Sequence, residues 1–134
     1  MTSPRRYADL RIGATFPEEP ARYAVKQEVV DAYREIGGGT ASADATIAPP
    51  TLAAVYIRPA QNALNGPPGG IHAKQRFEFR VPVKVGDTLD TVLEVQELYE
   101  RNGRNFVVSE TRTTNQDGAV VCIGRLTQVW GQEL

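Results

Sequence analysis

In the second half of the chain, apolar and polar residues alternate. Phe77, Phe79, Val81, Val83 and Val85 fall on one side of an extended segment, and Arg76, Glu78, Arg80 and Lys84 on the other. That is the period of a strand with one dry face and one wet face. Gly86-Asp87 makes a turn, and Leu89 to Tyr99 reads as a second strand. "RNGR" then places Asn102-Gly103 where a tight hairpin needs two residues of positive φ. Phe106 to Thr114 runs back, Asn115 to Gly118 turns, and Val120 to Trp130 forms the last strand. Pro82 would forfeit a ladder hydrogen bond in a central position, so it is expected at an edge or a bulge. The pattern predicts a meander of four long antiparallel strands.

Helical spacing comes earlier. Val29, Val30, Ala32, Tyr33 and Ile36 form one apolar stripe, and Gly37 can end the helix, which predicts a short amphipathic helix over Gln27 to Ile36. At "APPT" the two prolines suit a first turn that has no use for their missing N–H groups. A second helix is predicted from about Thr51 through Leu52, Ala53, Ala54, Val55, Tyr56 and Ile57. It is apolar nearly all round and therefore buried. Pro59 makes it irregular after Arg58, and Asn65-Gly66-Pro67-Pro68 finishes it. Gly37 to Ala45 reads as a connector.

These elements give an α+β fold: one domain over residues 1–134, with an antiparallel sheet wrapped around a central apolar helix. Such a sheet leaves its edge strands open to another chain, and dimerisation is the expected remedy. With 15 basic and 16 acidic residues and no basic run beyond Arg5-Arg6, the chain is a poor partner for nucleic acid. The longest apolar run, Leu52 to Ile57, is far short of the ~20 residues needed to cross a bilayer. The lone Cys122 sits in an apolar alternation and reads as a buried, inert thiol in a reducing compartment, so a cytoplasmic location is expected. One His and one Cys make no plausible metal site, and no cofactor is expected.

Taken in order, "YADLRIGATFP", "VVDAYREI", "APPTLAAVY", "IHAKQRFEFRVPVKVGDTL" and "NQDGAVVCIGRLTQVW" resemble the MaoC-like dehydratases, of hot-dog fold, and specifically their N-terminal, FAS1-like half-domain. The resemblance implies hydration of 2-enoyl thioesters, or dehydration of (R)-3-hydroxyacyl thioesters, carried on coenzyme A or acyl carrier protein. It also implies a carboxylate and an imidazole sharing one water, with N–H donors at the thioester oxygen. Active members of the family carry an Asp and a His a few residues apart, in the loop before the buried helix. Here that loop reads "GGGTASADATIAPP", with Asp44 as its acid and no histidine.

The candidate catalytic residues are therefore Asp44 and His72, the chain's single histidine, which opens a strand. Against the catalytic role, a His in that position can simply bond a loop carbonyl. Thr51 and Gly70 are the candidate substrate-binding residues: Thr51 as the first possible amide donor after two prolines, Gly70 as a close backbone approach. The leading expectation is a subunit that lends structure and part of an acyl-binding cavity to a homologous hot-dog partner carrying the Asp and His. An independently active homodimer, a non-catalytic acyl-CoA-binding module and a thioesterase are the alternatives.

Overall fold

The computed structural model describes residues 3–36 and 45–133. Most of the predicted connector, and Asp44 with it, lie outside them. In chain order the elements are a 3-10 turn at Tyr7–Asp9, β1 (Thr15–Ala24), α1 (Gln27–Ile36), a 3-10 turn at Pro50–Leu52, α2 (Ala53–Tyr56), α3 (Arg58–Ala63), β2 (Ile71–Phe79), β3 (Thr88–Arg101), β4 (Arg104–Thr114) and β5 (Val120–Val129). The strands form one sheet in the order β1-β3-β4-β5-β2, every neighbouring pair antiparallel. β1 and β2 are thus the two edges. The expected α+β layer over a helical rod is present, with five strands in place of four.

The added strand is β1. Its sequence, "TFPEEPARYA", hides the alternation behind two prolines and two glutamates, and its pairing with β3 slips register between Phe16 and Ala21. An edge tolerates that irregularity because one side of it needs no ladder. β2 also departs from expectation, starting at Ile71 and ending at Phe79 instead of running on to Val85. Beyond Phe79 the Arg80 amide still bonds the Val121 carbonyl, but Pro82 has no N–H to continue, and the chain leaves the sheet. Pro82 therefore lies outside any strand. Val83 is buried on that departing loop, whereas Val81 stays 37% exposed.

The predicted hairpin is present: Asn102 and Gly103 take φ of 53° and 75°, and Arg101 faces Arg104 across the turn. α1 has the predicted bounds. The second helix divides at Ile57, with Pro59 in the first turn of α3, where its missing N–H is harmless. Leu52, Ala53, Tyr56, Ile57, Ala60 and Leu64 are buried along these segments, while Thr51, Ala54 and Arg58 are exposed. Tyr56 and Ile57 pack with Val30 of α1, Leu89 of β3, and Val121 and Cys122 of β5. Leu64 packs with Leu10, Leu93, Val95, Val107 and Trp130. Burying side chains of this size is worth roughly 1.5–3 kcal/mol each, which holds the helical rod against the sheet.

Candidate functional site

Four polar residues recur along α3 and just past it at helical spacing: Arg58, Gln61, Asn62 and Asn65. They form one wall of a cleft of about 520 Å³ whose other wall is His72 of β2 with Leu126 and Gln128 of β5. Gly66, Pro67 and Gly70 close its end. His72 stands opposite Gln128 in the ladder. A register slip follows between His72 and Lys74, so Lys74 pairs with Thr127 and faces the other side of the sheet from His72. The Gln61 Nε2 group is buried without an acceptor among the described residues, a condition that costs about 1–3 kcal/mol until something bonds it. Among the described residues, no Asp or Glu lines this cleft. Among those residues, the imidazole therefore shares the cleft with amides and a guanidinium and with no carboxylate.

At the other end of β2, roughly 25 Å along the strand, lies a second depression of about 350 Å³. Its walls are Ile47, Ala48, Pro49 and Pro50 on one side, and Tyr56, Phe79, Val81, Val83 and Val121 on the other, with Arg80 beside them. This groove is apolar, and its volume lies at the small end of the range for ligand pockets. Burial pushes the Tyr56 hydroxyl far above its ordinary pKa, reinforced by the adjacent Cys122. Burial likewise raises the Cys122 thiol, against a lowering hydrogen bond with Tyr56. Neither group is poised to lose a proton near neutral pH, so both act as packing.

Of the four candidate residues, the three that lie among the described ones fall at two separate places. His72 and Gly70 share the polar cleft. Thr51 lies exposed beside the far groove, next to Pro50 but not in the lining, and Asp44 is outside the described residues. Gly70 also has a packing reason: a Cβ there would sit 3.2 Å from the Val129 carbonyl oxygen. Of the aromatic residues, Tyr56 and Phe79 line the groove, Trp130 is core, and Phe77 is half-buried against the core. The residues missed by sequence reasoning are Arg58, Gln61, Asn62 and Gln128. The polar stripe on α3 was the available signal, obscured by treating the chain after Arg58 as irregular. Among the described residues no cluster of three or more His, Cys, Asp or Glu side chains could hold a metal, and no helix is long and apolar enough to cross a membrane.

This arrangement has relatives. A UPF0336 protein from Saccharopolyspora erythraea is 28% identical, covering 88% of this chain and 87% of its own length. The solved structure of R-hydratase PhaJ1 from Pseudomonas aeruginosa, in its unliganded form, superposes with a TM-score of 0.75 at 26% identity, over 95% of this chain and 86% of that one. The HadBC (3R-hydroxyacyl-ACP dehydratase) complex from Mycobacterium tuberculosis shares the fold at a TM-score of 0.72 and 22% identity, over 88% of this chain and 96% of its own. Residues 11–123 match the family described as "FAS1-like, dehydratase domain region", so the chain belongs to that hot-dog dehydratase and hydratase family.

Proposed function

We propose that this chain is the acyl-binding subunit of a cytoplasmic hydratase or dehydratase acting on 2-enoyl and (R)-3-hydroxyacyl thioesters of coenzyme A or acyl carrier protein. A homologous hot-dog subunit supplies the catalytic carboxylate and imidazole. One observation carries the reading: the only histidine of the chain stands at an open sheet edge, in a cleft that no carboxylate of the described residues lines.

In the hydration direction, a base takes a proton from water while the water oxygen bonds to C3 of the enoyl group. The C2–C3 π electrons move toward the thioester oxygen, an acid protonates C2, and the net change is addition of one water. Both proton transfers belong to the partner. The groove of Ile47, Pro49, Tyr56, Phe79 and Val121 gives the acyl chain an apolar seat. Because both depressions open at β2, antiparallel docking of a related edge would bring the partner's groove end beside the His72 end of this chain. The two-component character of the mycobacterial dehydratase complex supports a site built from two chains.

Crotonyl-CoA hydration tests this reading. The isolated chain is expected to be at least about 100-fold slower than the chain co-expressed with a homologous subunit carrying the Asp and His. Turnover by the isolated chain at about 1–10³ s⁻¹ would refute it. Within the assembly, His72→Ala is expected to lower kcat less than about tenfold. A loss of about 10²–10⁴ would instead give His72 the acid–base role.

A further inference from the structure

The open edge carries charge as well as hydrogen-bonding groups. One row of directly opposed residues crosses the sheet from Glu94 on β3 to Glu110 on β4, Arg125 on β5 and Arg76 on β2. The row begins with two carboxylates and ends, at the free edge, with two guanidiniums side by side. Like charges directly opposed in a ladder are unfavourable. Arg125 is relieved by Glu97, but among the described residues the side chains of Arg76 and its neighbour Lys74 make no hydrogen bond or ion pair. The nearest acid on the strand, Glu78, is taken by Arg80 at 3.0 Å. The missing neighbour of Arg76 is the one a docked strand would provide.

We propose that this edge selects a homologous strand bearing carboxylates opposite Lys74 and Arg76, and discriminates against a second copy of the chain. The inference rests on the edge docking put forward above and deepens it by naming the partner's chemistry. Two copies meeting edge to edge about a twofold axis pair antiparallel, and opposed residues must share a face, which restricts the registers. Each register that sets Lys74 or Arg76 against a charged residue from Lys74 to Arg80 also opposes cations: Lys74 to Lys74, Lys74 to Arg76, Arg76 to Arg76, Lys74 to Arg80, or Arg76 to Arg80. Glu78 could relieve two of these only by giving up Arg80. A cousin with an acidic strand meets no such conflict.

The test needs no activity, so it can fail separately from the thioester reading. The Lys74→Glu, Arg76→Glu double variant of this same chain serves as the acidic edge and is mixed with the unaltered chain. Mass-tagged species are then counted by native mass spectrometry. The mixed dimer is expected to bind about tenfold more tightly than either self-pair in low salt, and to fall toward the statistical share near 1 M salt, where the Debye length is about 3 Å. A Lys74→Gln, Arg76→Gln variant, uncharged there, should self-associate more readily than the unaltered chain. A statistical mixture at low salt, no association in any combination, or a tight salt-insensitive dimer of the unaltered chain would each overturn the proposal. All the altered side chains are exposed, and a matching thermal melt confirms that the variants keep the fold.

Discussion

The two edges of the sheet answer the same physical problem in opposite ways. β1 is closed to further pairing. Pro17 and Pro20 remove two donors, Glu18 and Glu19 sit between them, and the ladder slips register along that stretch. Its cation Arg22 is held by Asp90, directly opposite on β3, through bonds of 2.9 and 3.1 Å. Its aromatic Phe16 lies under the Arg5 guanidinium, 4.3 Å from the ring centre. β2 has no proline within it, leaves Lys74 and Arg76 without an ion-pair partner among the described residues, and exposes half of Ile71 and Phe79. An isolated chain has no reason to protect one edge by three devices and leave the other bare. The contrast supports the proposal that β2 is the edge kept for a partner.

The largest effect is expected where β2 is seated on the rest of the fold. Gly131, just past β5, lies against the loop that delivers the chain to Gly70 and His72. A Cβ added there would fall 2.3 Å from the Pro67 carbonyl oxygen and 2.4 Å from that of Pro68. These are backbone atoms and cannot rotate away. Gly131→Ala should therefore cost about 1–3 kcal/mol in urea unfolding. It should also reduce association through β2 more than it disturbs β1. Unchanged stability would mean that the loop is free to move, and would weaken the view of the polar cleft as a built feature.

How much of this could be read beforehand follows the same division. β3 was legible because it buries one face, which enforces alternation, as in Leu89, Thr91, Leu93 and Val95, and β4 and β5 because their apolar runs are bounded by clear turn residues. β1 was illegible because a protected edge is made by breaking that rule with Pro17 and Pro20. The end of β2 was misplaced because Val81, Val83 and Val85 keep the alternation after Pro82 has ended the ladder, so that side-chain pattern and backbone bonding disagree there. The polar cleft depends on a helix, two strands and a one-residue slip meeting in space. From sequence, only the stripe of Arg58, Gln61, Asn62 and Asn65 was visible.

A middle-sized effect should separate the edges by what is lost. Phe79 is 49% exposed, stacks on Phe77 at 5.7 Å between centroids, and lines the apolar groove. Phe79→Ser removes little that the isolated fold has buried, so its urea midpoint should hardly move. Its association with a homologous subunit, measured by sedimentation equilibrium, should weaken about tenfold or more, as expected for an aromatic anchor at an interface. Phe16→Ser should do the reverse, lowering stability without touching association, because Phe16 is already covered within the chain.

The smallest effect concerns the ion pair that closes β1. The hydrogen bond from Arg22, together with its charge, holds the Asp90 carboxyl below the usual carboxylate range; the Arg22 side chain is largely in solvent and that of Asp90 is 32% exposed. A depressed folded-state pKa means that the folded protein binds fewer protons here than the unfolded chain. The contribution to stability is therefore complete above the unfolded value, about 3.9, and disappears as pH falls through the lower folded value. Asp90→Asn should shift the urea midpoint slightly downward at pH 7, less in high salt, and not at all once acid has protonated Asp90 in both states. Association through β2 should be unaffected at every pH where the fold persists. A change in partner binding on Asp90→Asn would show that the two edges communicate through β3, β4 and β5, and the assignment of separate roles to β1 and β2 would then fail.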